Sequence, residues 1–138
     1  MLIKLNKTEH IRTPSSAAKI IADIIAAGDK LDRDREQFYA IGLNTKNKII
    51  FIELSTIGTL DQANPHPREI ARRALTEGAR SIIIAHNHPS GDPKPSQEDF
   101  IFTNRVRDGL KFLDIELTDH IILGELDTFY SFKETRTL

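Results

Sequence analysis

The chain has 138 residues, 39% of them hydrophobic and 28% charged, with a formal net charge of −1. That is the size and composition of one ordinary globular domain, predicted to run from residue 1 to 138; it excludes a large α/β barrel and any overall basic field that would steer the chain to nucleic acid. There is no cysteine, which excludes disulfides, thiolate-bound zinc and the nucleoside-deaminase zinc set with its Pro-Cys-x-x-Cys element, so any zinc must use histidine and carboxylate.

Residues 1–12 are short and mixed, an arm or a first edge strand. Thr13-Pro14 reads as an N-cap followed by proline at the first helical position; Ala17, Ile20, Ile21, Ile24 and Ile25 then recur at helical spacing, and Gly28 closes the helix. Residues 29–36 form a charge-dense connector, expected to be solvated except at Glu36. Glu36 immediately precedes a strand-like run at 38–43, and a second strand follows at 48–54 with hairpin turn chemistry at 44–47. A carboxylate at that strand mouth could face a site across the sheet. Glu53, inside the second strand, is the alternative.

Residues 55–64 read as a turn region with a short strand around 58–60. A helix is predicted over 68–78, with Ile70, Ala71, Ala74 and Leu75 as its buried stripe and Arg68, Arg72 and Arg73 on a solvated face. The apolar, β-branched run 81–85 predicts a buried strand. The longest helical pattern covers 96–113, with Phe102, Val106, Leu110 and Leu113 facing the core. A final long strand is predicted over 115–123, where His120 reads as a structural histidine with its hydrogen bonds satisfied, and 129–132 adds a short edge strand. Hairpin, crossover helix, buried strand, helix and strand predict an α/β fold, a mixed sheet flanked by helices, with 81–123 as a βαβ unit. No apolar run approaches membrane-spanning length and the N-terminus lacks a signal-peptide core, so a cytoplasmic location and no membrane partner are expected.

The stretch from His86 to Asp99 carries the chemistry. Side chains alternate along a strand, so His86 and His88 point the same way, which suits a metal ion. The proline-rich loop 89–95 turns the chain, and Ser96 and Asp99 follow three residues apart on one helix face. Asp99 then offers a third ligand and leaves the fourth position to water, the arrangement of catalytic zinc. Taken alone, Ser96-x-x-Asp99 is a helix cap. The cap and metal readings are compatible, and the two halves joined by one turn make a strong signal.

His86-x-His88, seven residues, then Ser96-x-x-Asp99 is also the spacing of the JAMM (MPN-plus) metalloprotease motif, and His86-Asn87-His88-Pro89-Ser90-Gly91-Asp92-Pro93 resembles the RadC family within it. The resemblance covers about 15–132 and includes Arg35-Glu36-Gln37-Phe38, Leu43-Asn44-Thr45-Lys46-Asn47, Gly58-Thr59-Leu60, His66-Pro67-Arg68-Glu69 and Asp119-His120-Ile121-Ile122. It implies a JAB/MPN-like (cytidine-deaminase-like) metalloprotease fold. It also implies one zinc ion on His86, His88 and Asp99, and Glu36 as general base, because JAMM-like chains carry their catalytic glutamate just before the first hairpin strand. Full-length RadC proteins resemble a two-part chain with a helical, DNA-binding-like segment before the metal domain, and this sequence is expected to be a short form without it.

The leading functional expectation is a zinc-dependent hydrolase of amide bonds, a metallopeptidase or isopeptidase acting on a peptide or protein. Glu36 would be its base and the Ser96 hydroxyl its oxyanion donor. The family carries a DNA-repair label, and the alternative is a metal-dependent nuclease or DNA-repair accessory factor. A phosphodiester site would often hold two metals on several carboxylates, and only Asp92 and Glu98 are spare near the motif. A binding module with a structural metal is a third reading, disfavoured by three protein ligands on an exposed loop. Arg68, Arg72 and Arg73, with Arg105 and Arg107, would support only weak DNA association. A homo-oligomer or protein partner is expected to supply substrate recognition.

Overall fold

In the computed structural model, residues 1–5, 9–57 and 65–138 are described. The chain in order forms α1 (Pro14–Ala26), α2 (Lys30–Arg33), β1 (Gln37–Leu43), β2 (Ile49–Ile57), α3 (Pro67–Glu77), β3 (Ser81–Asn87), α4 (Gln97–Phe112), β4 (Glu116–Leu123) and β5 (Phe129–Ser131). The strands build one mixed sheet in the order β2-β1-β3-β4-β5. β1 is antiparallel to both β2 and β3, β4 runs parallel to β3 through the α4 crossover, and β5 returns antiparallel to β4. The expected short strand around 58–60 lies outside the described residues.

Alternation along the central strands divides the core in two. Tyr39, Ile41, Ile83, Ala85 and Ile121 face α1, where Ala17, Ala18 and Ile21 cover them. Phe38, Ala40, Ile82 and Ile84 face α3 and α4, where Ile70, Ala74, Phe102, Val106 and Leu110 cover them. Every residue of β1 and of β3 is buried. That is why their sequences read as continuous apolar runs rather than as alternation. β3 runs two residues past its apolar stretch, because β4 continues beside it: His86 pairs with Ile122 and Asn87 with Leu123.

The local signals act where the sequence places them. Thr13 caps α1 in a reciprocal box with Ser16, with Pro14 at the first turn. Gly78, at φ 70°, closes α3 in the left-handed conformation. Leu2 bridges Glu53 of β2, and His10 bridges Lys48 just before it. Among the described residues no helix is long and apolar enough to cross a membrane.

Three expectations are corrected. Leu75 is 57% exposed and Leu113 39% exposed: the periodicity identified helix faces, but the sheet and its neighbours cover only part of each stripe. The connector 29–36 contains the single turn α2, too short to show a period. Arg73 is not solvated. Its Nε donates to Glu53 Oε2 at 2.7 Å and its Nη1 to Glu77 Oε1 at 3.3 Å. Glu53 stands on the α3 face of β2, 5% exposed, and a buried carboxylate there requires a cation. Arg73→Ala is therefore expected to lower stability by about 3 kcal/mol, because it leaves the buried Glu53 carboxylate only the exposed N-terminal ammonium at 4.0 Å, whereas replacing both residues with leucine costs much less. Urea unfolding of the two variants checks the contrast.

Candidate metal centre

The C-terminal ends of β1 and β3 point in opposite directions, so the end of β3 lies beside the start of β1, with Phe38 paired to His86. Glu36 immediately precedes β1. His88 immediately follows β3, and the first turn of α4 brings Asp99 over both histidines. The Nε2 atoms of His86 and His88 are 3.1 Å apart. Asp99 Oδ1 is 3.3 Å from His86 Nε2 and Oδ2 is 3.2 Å from His88 Nε2. Glu36 Oε1 is 3.6 Å from His86 Nε2. Tetrahedral zinc with bonds of about 2.0–2.1 Å separates its ligand atoms by about 3.3 Å, so these spacings suit donors around one ion. Glu36, His86 and His88 form a cluster, with ligand atoms within 4.8 Å of one another, that could bind a metal ion.

The hydrogen bonds behind the cluster decide which nitrogens face it. The Thr103 hydroxyl donates to the Asp99 carbonyl at 2.6 Å and also lies 2.5 Å from His120 Nδ1. A hydroxyl has one proton, so in the second contact His120 Nδ1–H donates to Thr103 Oγ1. His120 is fully buried, and burial, reinforced by the adjacent His86, pushes its pKa well below that of free imidazole. It stays neutral, and its Nε2 must accept. His86 Nδ1, 2.8 Å away, is the donor, which leaves the lone pair of His86 Nε2 directed at the cluster. His88 reaches the same state by another route: its Nδ1 is 2.9 Å from the Asp92 carbonyl, which can only accept. Both imidazoles thus present unprotonated Nε2, the form that ligates metals.

Packing holds the rings. Phe38 stacks on His86 with ring centres 5.5 Å apart and planes 8° from parallel, and Phe132 stacks on His120 at 4.7 Å and 9°. The loop carrying His88 is tied to the β4–β5 turn: His88 N donates to Leu123 O at 2.8 Å and Glu125 N to Gly91 O at 2.9 Å. Gly124 allows this approach, since a Cβ there would lie 2.5 Å from Gly91 O.

Charges follow from the geometry. Burial raises the Asp99 pKa, but the neighbouring His86 and His88, which can take up a proton, and the hydrogen bond from the Ser96 amide outweigh it and hold the carboxyl well below the usual carboxylate range. Hydrogen bonding to Asp99 is the largest influence on His88, and its pKa rises despite burial. Among the protein groups alone, burial raises the Glu36 pKa against the opposing pull of His86 and His88. Glu36 remains half-buried, its side chain 25% exposed.

The structure brings Glu36, His86, His88 and Asp99 together. Ser96 adjoins them as the N-cap of α4: its Oγ accepts from Asp99 N at 3.1 Å, and its N donates to Asp99 Oδ2 at 2.9 Å. Asp99 therefore caps the helix and faces the histidines with the same carboxylate. Glu53 is not in the cluster; Arg73 holds it beneath α3. Sequence reasoning missed Thr103 and the tie between His120 and His86. Their signal was position: Thr103 lies one turn after Asp99, and His120 pairs with Ile84, two residues before His86 on the same face.

The model of the RadC-like JAB domain family matches residues 11–137. A UPF0758 protein from Chlorobium chlorochromatii (strain CaD3) is 44% identical over 80% of this chain and 53% of its own length. UPF0758 proteins from Moorella thermoacetica and Bacillus licheniformis are 41% and 44% identical, over 93% and 90% of this chain and 53% of each relative. The chain thus spans about half the length of the curated relatives it matches. Its five-stranded mixed sheet flanked by helices is consistent with a JAB/MPN-like fold.

Two outcomes are expected of this centre. Thr103→Val removes the hydroxyl at nearly constant volume and frees the His120 and His86 tautomers, which should weaken any divalent-metal binding at the cluster about 10- to 100-fold with the fold retained. Metal affinity at the cluster should also fall with acidity, beginning above the ordinary imidazole value of 6.5, because the raised His88 pKa lets protons compete for Nε2 at higher pH. Chelator-competition titrations across pH 5–8 check both.

Proposed function

We propose that this chain, which belongs to the RadC-like JAB domain family, is a metal-dependent hydrolase of amide bonds that holds one zinc ion on His86, His88 and Asp99. The observation that carries this reading is the convergence of the Glu36 carboxylate on the point faced by two Nε2 lone pairs and by Asp99. A zinc ion there would supply Lewis acidity towards water and towards a carbonyl oxygen.

The chain's own groups divide the remaining work. Glu36 is half-buried with a raised pKa, which suits a carboxylate that takes a proton from water and returns it to the leaving amine. The Ser96 oxygen already accepts from Asp99 N, so its own proton is available to an oxyanion that develops at the substrate carbonyl. His86, His88 and Asp99 serve as fixed ligands, oriented by Thr103, His120 and the Asp92 carbonyl. The substrate class that fits this chemistry is a peptide or an isopeptide-linked protein.

The nuclease reading gains less support. Its spare carboxylates, Asp92 and Glu98, are exposed, and Asp92 Oδ1 already accepts from Lys94 N at 3.0 Å. Of the five arginines considered for phosphate contacts, Arg72 pairs with Glu69, Arg73 with Glu53 and Glu77, and Arg107 with Asp108. DNA association by this domain is accordingly proposed to be weak.

Glu36→Gln is expected to keep its zinc, as elemental analysis would read, and to lose about 100- to 10,000-fold in turnover of a peptide or isopeptide library. Glu53→Gln should retain most activity. Metal-dependent DNA cleavage abolished by Glu36→Gln, without amide cleavage by the same preparation, would overturn the reading in favour of the nuclease.

A further inference from the structure

Asn87 stands between the two histidines, and strand alternation turns its side chain away from theirs. It is 8% exposed and hydrogen-bonded on both sides of its amide. Oδ1 accepts from Gln37 N at 2.6 Å, and Nδ2 donates to Arg35 O at 3.0 Å. Those two backbone groups flank Glu36. The amide orientation is unambiguous, because a backbone N–H can only donate and a carbonyl can only accept.

The position of these bonds in the sheet gives them their meaning. The β1–β3 ladder ends at the pair Phe38–His86. Glu36 lies beyond β1, so the ladder does not hold its backbone. The Asn87 side chain continues the pairing past that end. Gln37 adds a second tie: its Nε2 donates to Asp32 O at 2.6 Å, and its Oε1 accepts from Tyr39 Oη at 2.7 Å. The backbone on either side of Glu36 is thereby fixed to the strand that ends in the metal ligands.

We propose that Asn87 is a positioning residue whose amide, bridging the Arg35 carbonyl and the Gln37 N–H, holds Glu36 against the His86–His88 centre. This rests on the reading of Glu36 as general base. The role needs one donor and one acceptor on a single planar group of this reach. Aspartate offers only acceptors, and alanine offers neither.

The test uses zinc-loaded Asn87→Ala and Asn87→Asp in the full chain. In Asn87→Ala, zinc should remain at one per chain, and the Gln37 amide should exchange about tenfold faster or more, with the rest of β1 and β3 unchanged. A crystal structure should show the Glu36 carboxylate displaced from His86 while His86, His88 and Asp99 stay in place. On any amide substrate the wild type cleaves, kcat should fall about 10- to 100-fold with KM nearly constant. Asn87→Asp keeps the acceptor for Gln37 N–H, so protection there should survive while kcat still falls, and it serves as the second variant should the alanine protein fail to fold. Unchanged Gln37 exchange in Asn87→Ala would overturn the proposal. So would loss of zinc with general exchange along β3, which would make Asn87 a strand residue only. If Gln37 is released and Glu36 moves, but Glu36→Gln remains fully active, the positioning stands and the base assignment alone falls.

Discussion

One hydroxyl proton sets the direction of the hydrogen bonds behind the His86 side of the centre. Thr103 gives its proton to the Asp99 carbonyl, so its oxygen can only accept from His120, and His120 can then only accept from His86. Were that proton directed the other way, His86 would present an N–H to the cluster and could not ligate. The same threonine bonds the backbone of Asp99, so one side chain orients His86 and steadies the turn that carries Asp99. α4 thus contributes Asp99, its own cap at Ser96 and the tautomer lock within two turns of helix.

This arrangement works only if the relay stays dry. His120 lies between aromatic rings, with Phe132 stacked on it and Phe38 tilted against it at 6.1 Å. Phe132 is held there from the other side of β4. Asp119 accepts from Ser131 Oγ at 2.6 Å, from Lys133 N at 2.9 Å and from His120 N at 2.7 Å. Burial raises the Asp119 pKa even though these hydrogen bonds oppose it, a cost typical of a buried carboxylate that organises backbone. The segment after β5 therefore covers His120, behind the cluster, through Phe132.

The residues that cluster were legible in the sequence and their supports were hidden, for a physical reason. His86, His88, Ser96 and Asp99 fall within one strand–turn–helix passage, where strand alternation, proline and cap chemistry each act over a few residues. Glu36 was recoverable from its place before a strand and from the family resemblance. The supports depend on pairings between distant elements: Asn87 with Arg35 and Gln37, His86 with His120, Arg73 with Glu53. Helical periodicity identified the faces of α3 and α4 but not how far the sheet extends beneath them, which is why Leu75 and Leu113 emerged exposed.

The two halves of the core also explain how a crowded polar cluster is tolerated. β3 is central and apolar from Ile82 to Ala85, with one set of side chains packed under α1 and the other under α3 and α4. Burial on both faces supplies the favourable free energy, roughly 25 cal/mol for each Å² of apolar surface removed from water. The clustered histidines begin only where that stretch ends. Neighbouring protein groups bond each of these side chains: a second imidazole, itself held by a hydroxyl, for His86, a carbonyl for His88, and a helix cap for Asp99. Here the core carries the fold, and the end of its central strand is free to present a preorganised set of donors.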